Sequence, residues 1–261
     1  MEGYAEFTIQ IKKLTNIDLN YYKEKQMRRR IESLIKRNGL DDYVAYLKLL
    51  KESQKHLREF LEYITINVSE FFRNPSQWQV LEQYILPNII SRKKKVKIWS
   101  SACAAGEEPY SLALLAEKMG VMDRVYILAT DIDDRALEHA KRGEYVRKSL
   151  TNVPEEMMKK YFTKNGEIFA IKDEIKKEVD FKHLNLLEDE FPSQCDLILC
   201  RNVMIYFTED AKDKLYKKFY NALTDSGILF VGSTEQIIMP QKYGFTSIKN
   251  FFYQKQKSGS D

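Results

Sequence analysis

Between residues 96 and 232, short apolar runs alternate with stretches whose apolar residues recur at helical spacing. The runs are VKIWS (96–100), VYILAT (125–130), VDFKHL (179–184), DLILC (196–200) and ILFVG (228–232). The amphipathic stretches cover 109–119, 133–142 and 209–223. Continuous apolar strands separated by helices predict a mostly parallel sheet, because only a sheet covered on both faces needs strands dry on both sides. The expected fold class is therefore α/β, doubly wound, with its ligand outside the carboxyl ends of the strands.

Residues 4–65 follow a different rhythm. Met27, Ile31, Leu34 and Ile35 recur every three or four positions, and Asn38-Gly39 supplies a helix stop. Asp41-Asp42 can cap a helix carrying Tyr43, Tyr46, Leu47 and Leu50, and a further helix is expected over 54–65. Without alternating Val, Ile and Thr, this region predicts a small all-α bundle. Residues 66–95 read as a linker and a helix (75–90) begun by Asn74-Pro75. Residues 145–178, rich in Lys and Glu with a turn at Asn165-Gly166, read as an insertion carrying a short β-hairpin.

Length and composition add boundaries to this picture. A chain of 261 residues has room for a domain of about 150–200 residues and a smaller one. With 44% hydrophobic and 31% charged residues it suits a soluble globular protein. No apolar run nears the ~20 residues that span a bilayer, and MEGYAEFTIQIKK lacks a signal-peptide core, so a cytoplasmic protein without membrane insertion is expected. Cys103, Cys195 and Cys200 form no CxxC pair, and His56, His139 and His183 are scattered, so no metal is expected. Between positions 20 and 40, Lys23, Lys25, Arg28, Arg29, Arg30, Lys36 and Arg37 stand against only Glu24 and Glu32. That local excess is larger than the net +4 of the chain. Such a helix suits an acidic partner or, more plainly, a solvated face.

The strand ends carry the chemistry. After the first strand comes Ser101-Ala102-Cys103-Ala104-Ala105-Gly106-Glu107-Glu108-Pro109, whose small residues let backbone approach a ligand although GxGxxG is missing. Glu107 and Glu108 stand where a pyrophosphate would meet the helix N-terminus, and two carboxylates there repel phosphate and welcome a cation. S-adenosylmethionine (SAM) lacks phosphate and carries a sulfonium and an ammonium, so the pattern favours it over a nucleotide. Complementing the helix dipole is the blander use of the same glutamates. Asp131 lies 25 residues beyond Gly106, where an acid bonds the ribose of an adenosyl ligand, and Asp133 is the N-cap of the next helix. Asn185 reads equally as an adenine-edge contact or a turn asparagine. The fourth strand ends in Cys200-Arg201-Asn202-Val203-Met204-Ile205-Tyr206-Phe207, with Arg201 and Asn202 opening onto the cleft and Tyr206 able to overhang it. Cys200 has no histidine placed to activate it and reads as a buried thiol.

Four segments, INVSEFFRN (66–74), KIWSSACAAGEEPYS (97–111), TDIDDRAL (130–137) and LILCRNVMIYF (197–207), resemble the bacterial chemotaxis receptor methyltransferases, the CheR family. The resemblance runs through nearly the whole chain, including the basic helix and the turn Asn38-Gly39-Leu40-Asp41-Asp42-Tyr43. It implies methyl transfer from SAM to glutamate side chains on cytoplasmic chemoreceptor helices, giving glutamate methyl esters and S-adenosylhomocysteine for sensory adaptation. It implies a helical substrate-docking domain at 1–65, a linker and helix contributing to the active site at 66–95, and a SAM-binding methyltransferase domain at 96–261 with its insertion near 145–178. By similarity, Asn67, Ser69 and Arg73 help bind cofactor and line the active site. Glu108 and Asp131 hold the methionine and ribose portions, with Gly106 in the same loop. Asn185 with Leu186, and Arg201 with Asn202, fill out the pocket, and Tyr206 lies near the transferring methyl. Ser69 replaces a common threonine, and Ala104-Ala105 a Ser-Thr type pair. The turn Tyr161-Phe162-Thr163-Lys164-Asn165-Gly166-Glu167 looks shorter than in members that dock a receptor C-terminal pentapeptide, so action without that tether is expected.

The chemistry is self-consistent. A glutamate of ordinary pKa near 4.3 is ionised at neutral pH and needs no general base, so the enzyme's work is alignment. Arg73 suits bidentate steering of that carboxylate, or a grip on SAM's own carboxylate. Receptor methylation segments are helical and rich in glutamate, which makes Arg28, Arg29, Arg30, Lys36 and Arg37 the expected docking residues. A nucleic-acid methyltransferase would show an Asn/Asp-Pro-Pro-aromatic tetrapeptide or aromatics interleaved with the basic segment, and neither is present. A non-catalytic SAM sensor would have no need of Arg73, Glu108, Asp131 and Tyr206 together.

Overall fold

The computed structural model describes residues 2–65 and 69–256. Its contacts divide the chain into two units, residues 1–66 with 204–214, and residues 67–203 with 215–261.

The first unit contains α1 (Tyr4–Thr15), α2 (Glu24–Arg37), α3 (Tyr43–Glu52) and α4 (Gln54–Thr65). The Asp42 carboxylate accepts from Ala45 N–H at 2.7 Å and caps α3 as expected. Met27, Ile31, Leu34 and Ile35 form the buried stripe of α2, and Phe7, Tyr43, Tyr46 and Phe60 pack ring against ring beneath it. Residues 204–214 join this unit through an antiparallel bridge between Tyr22 and Phe207. Tyr206 O accepts from Lys23 N–H (2.8 Å), and Tyr21 O accepts from Thr208 N–H (2.8 Å).

The second unit opens with α5 (Pro75–Val80), a π-turn over Leu81–Ile85 and α6 (Leu86–Arg92). Proline is tolerated at the start of α5 because its missing N–H falls where a helix has no acceptor. There follow β1 (Val96–Ser100), α7 (Glu107–Lys118), β2 (Val125–Asp131), α8 (Asp134–Arg142), β3 (Glu144–Val146) and α9 (Glu155–Tyr161). Next are β4 (Phe162–Asn165), β5 (Ile168–Ile171), α10 (Asp173–Lys176), β6 (Val179–His183) and β7 (Cys195–Cys200). Last come α11 (Glu209–Ala222), whose residues up to Lys214 count with the first unit, β8 (Leu223–Val231), β9 (Phe245–Lys249) and β10 (Phe252–Lys255).

The main sheet has seven strands in the order β6-β2-β1-β7-β8-β10-β9, and only β10 runs against the rest. Every residue of central β7 is buried, which explains its unbroken apolar run. Strand order reverses between β1 and β7, so the connections that leave their carboxyl ends run to opposite sides and leave a crevice there. The insertion forms a three-stranded sheet, β3-β5-β4, in which the Asn165-Gly166 turn joins β4 to β5. Three strands replace the expected hairpin because β3, a mere three residues, carries no pattern of its own. The β9–β10 pair was likewise not expected. Its strands keep one face wet, with no continuous apolar run to announce them.

Candidate active site

The loop from β1 to α7 is fastened at both ends. Ala104 N–H donates to Asp131 Oδ2 (2.8 Å) and Asp133 N–H to Asp131 Oδ1 (3.0 Å), which ties the end of β2 to the loop. Asp133 also caps α8, as expected. Tyr145 donates to Ala105 O at 2.8 Å. Gly106 closes the loop at φ 93°, and a Cβ there would lie 2.8 Å from Ala140 Cβ, so no larger residue fits. Asp131 is 7% exposed, and with three backbone donors on its four lone-pair sites the carboxylate keeps one acceptor position for a hydroxyl. Burial pushes its pKa up to about 6, against the pull of three backbone N–H donors.

The two glutamates that open α7 have separate fates. Glu108 accepts from Ser100 Oγ (2.8 Å) and pairs with the Arg201 guanidinium (3.1 Å), both side chains buried. Arg201 then reaches Arg73 O (2.8 Å), Asn74 Oδ1 (3.1 Å) and Gln77 Oε1 (3.0 Å), and lies 4.7 Å from the centroid of Phe230. Trp78 Nε1 shares the Arg73 carbonyl at 3.0 Å, and Phe72 N–H donates to Ser111 Oγ at 2.9 Å. This network pins the linker segment that carries Arg73 onto the start of α7. Glu107, 4% exposed, is hydrogen-bonded by Ser69, and burial raises its pKa. Among the described residues, Glu107 Oε2 and Arg201 Nε are the buried side-chain atoms of this unit that find no partner. One is an acceptor and the other a donor.

Four of the nine described non-glycine residues with positive φ lie at this place. Phe72 (φ 51°), Asn74 (62°), Ala104 (47°) and Asn202 (62°) all sit in the left-handed region. Non-glycine residues stay there only where their surroundings hold them, and such positions cluster at functional sites. Glu235 Oε2 accepts from both Asn202 N–H (2.6 Å) and Gly232 N–H (2.9 Å), which fixes the turn after β7. After β6, Asn185 Oδ1 accepts from Leu187 N–H (3.0 Å) in a local turn, and Asn185 and Leu186 are both buried.

Ser69, Arg73, Gly106, Glu108, Asp131, Asn185, Leu186, Arg201 and Asn202 thus all stand in the second unit, on the linker or after the ends of β1, β2, β6 and β7. Asn67 lies outside the described residues. Tyr206 belongs to the first unit, as does the basic helix α2. On α2, Arg29, Lys36 and Arg37 are exposed and Arg28 and Arg30 half-buried. Arg30 stacks on Tyr63 at 4.5 Å and donates to its carbonyl, Arg37 lies 5.0 Å from the same ring, and Arg28 pairs with Glu32 at 3.2 Å. No group of three His, Cys, Asp or Glu residues could hold a metal among the described residues, and no described helix is long and apolar enough to cross a membrane.

The family model described as "CheR methyltransferase, SAM binding domain" matches residues 67–252, and "CheR methyltransferase, all-alpha domain" matches 2–65. This chain belongs to the CheR methyltransferase family. It is 40% identical over 97% of its length to a chemotaxis protein methyltransferase of Listeria innocua, covering 97% of that protein. A chemotaxis protein methyltransferase of Escherichia coli is 35% identical over 79% of this chain and 73% of its own. A third, from Borreliella burgdorferi, is 34% identical over 87% of this chain and 88% of its own. This chain is a SAM-dependent methyltransferase.

The buried groups fit that cofactor. An amino-acid end brings both an ammonium and a carboxylate, and the starts of α7 and of the turn after β7 hold, respectively, an unpartnered buried acceptor, Glu107 Oε2, and an unpartnered buried donor, Arg201 Nε. Reading the sequence singled out Glu107 for its charge but assigned it no place in the pocket. Its only signal was adjacency to Glu108, and the pairing that separates their roles spans 93 residues.

Proposed function

We propose that this enzyme methylates glutamate side-chain carboxylates on cytoplasmic chemoreceptor helices, forming methyl esters and S-adenosylhomocysteine for sensory adaptation. The complementary pair of unpartnered buried atoms carries the reading, because it suits a zwitterionic amino-acid end and would repel a phosphate from Glu107. Bound SAM supplies a methyl group on a sulfonium, the electrophile that a carboxylate attacks in line. The chain's residues supply position. Asp131 accepts from a ribose hydroxyl, Asn185 and Leu186 border the adenine, and Glu107 with Arg201 receives the ammonium and carboxylate. Glu108 acts by holding Arg201, and through it the linker that presents Ser69 and Arg73. Gly106 and Asn202 shape the two turns, and Asn67 joins them on the sequence resemblance alone. Arg73 steers the incoming carboxylate. Tyr206 is assigned to the methyl-transfer step by resemblance only.

The substrate surface is the exposed face of α2, where Lys25, Arg29 and Lys36 fall within half a turn of one another and meet a glutamate-rich helix. Docking needs no receptor C-terminal pentapeptide, so a receptor truncated of its tail is methylated at the full rate. The deciding assay incubates the protein with methyl-labelled SAM and receptor-bearing membranes, then applies mild alkali. Carboxyl methyl esters release volatile methanol; label that survives alkali, or no label at all, refutes the reading.

A further inference from the structure

The segment after β6 that carries Asn185 and Leu186 winds on itself. Asn185 N–H donates to Asp189 Oδ2 (2.7 Å), while Glu188 and Asp189 N–H donate back to Asn185 O (3.2 and 2.9 Å). These bonds set its local shape, and Leu184 N–H, which donates to Asp131 O at 3.0 Å, ties its start to β2. Two side-chain anchors hold the rest of the turn. Phe191 packs edge-on against Trp99 of β1 with centroids 4.9 Å apart, and against Phe219 of α11 at 5.0 Å. Trp99 is fully buried and its Nε1 donates to Thr130 at 2.9 Å, so this anchor is part of the core.

Lys218 of α11 is the second anchor. Its ammonium donates to Leu186 O at 2.9 Å and to Asp189 O at 2.7 Å, and stands 4.1 Å from the centroid of Phe191. A lysine on an amphipathic helix ordinarily sends its charge to water. Here burial lowers its pKa, opposed by Asp189 and Glu188, so the charge has been drawn inward to meet two carbonyls. Both carbonyls belong to the turn that Asn185 and Leu186 begin, and among the described residues neither accepts from a backbone N–H. A point charge with three donors on a flexible stem can satisfy both carbonyls and the ring at once.

We propose that Lys218 is a positioning residue for the methyl donor, clamping the 185–189 turn in the form that receives the adenosine half of the cofactor. This rests on assigning Asn185 and Leu186 to that half. A bound nucleoside would otherwise have to order the turn itself, and its affinity would fall by that cost.

The test is calorimetry with S-adenosylhomocysteine and with 5′-methylthioadenosine, which keeps the nucleoside and lacks the amino-acid end, on the full chain. Lys218→Met retains the stem and removes the donors. It is expected to weaken both ligands by the same factor, about tenfold, raise KM for SAM and leave kcat within about twofold. Lys218→Arg restores most of the affinity, and hydrogen exchange of the Leu187–Asp189 amides in the ligand-free protein quickens in the Met variant alone. Wild-type affinity in Lys218→Met, or a loss confined to S-adenosylhomocysteine, overturns the assignment. So does a fall in kcat at unchanged KM. If the wild-type chain takes up neither ligand, the cofactor reading itself fails, an outcome distinct from failure of the clamp. Should the Met variant not fold, Lys218→Gln and the Arg variant carry the same comparison.

Discussion

Basic side chains stand in two opposite settings in this molecule. Arg201 is shut in with Glu108 and makes contacts to Ser100's partner carboxylate, to the linker carbonyl of Arg73 and to the ring of Phe230. Arg29 and Lys36 of α2 stand in water. A buried charge is expensive to leave alone, so its partners are fixed and its loss is felt as structure. An exposed charge is screened beyond about 8 Å at physiological salt, so it can be traded without unfolding anything and is felt only by an incoming partner. Burial makes one set a frame, and exposure leaves the other open to a partner.

The sharpest way to break this contrast is at the buried pair. Glu108→Ala leaves Arg201 charged and dry, and should cost about 3–5 kcal/mol of unfolding free energy, read by urea denaturation. Glu108→Gln with Arg201→Met should recover much of that loss while S-adenosylhomocysteine binding stays impaired. Next in size, Arg73→Ala should lower kcat/KM for receptor methylation about a hundredfold, while the linker's bonds to Arg201 and Trp78 persist because they run through its carbonyl. Unaltered turnover would remove Arg73 from the site.

A third measurement uses pH. Burial pushes Asp131 up to about 6, so in the free enzyme it ionises only as pH rises through that value. The stability it contributes is complete below its ordinary value near 3.9 and is lost as pH rises through about 6. A ribose hydroxyl needs the ionised form as acceptor. S-adenosylhomocysteine affinity should therefore climb with pH up to about 6, at most about tenfold per unit, and level off above it. Asp131→Asn should bind weakly and without that slope. The smallest effect belongs to the exposed set. Arg29→Glu with Lys36→Glu should raise KM for receptor several-fold at low ionic strength, less in high salt, with Kd for S-adenosylhomocysteine unchanged.

What could be read in the sequence was local. β1, β2 and β7 announce themselves because burial on both faces demands an unbroken apolar run, Asp42 and Asp133 mark helix starts through side-chain bonds within three residues, and Pro75 marks one by its missing N–H. The β9–β10 pair stayed hidden because its burial is one-sided, and β3 because a strand of three residues has no period. At the site, Gly106 and Asp131 stand out by following a strand at a fold-determined place. The partnership of Glu108 with Arg201 joins positions 93 apart, and nothing in either neighbourhood points to the other. Lys218 was less legible still, since a lysine drawn inward looks in sequence like any lysine facing water.

The helical unit borrows part of itself from far along the chain. Tyr22 pairs with Phe207, and backbone bonds join Lys23 to Tyr206 and Tyr21 to Thr208. A gene cut after position 66 would therefore yield a helical piece whose Tyr21 carbonyl, Lys23 amide and Tyr22 ring had lost their native cover, while the remaining piece carried that cover with nothing to place it on. Dissecting the protein by cloning its two parts separately would sever a shared fold. Receptor docking is better dissected by substitutions in the intact polypeptide.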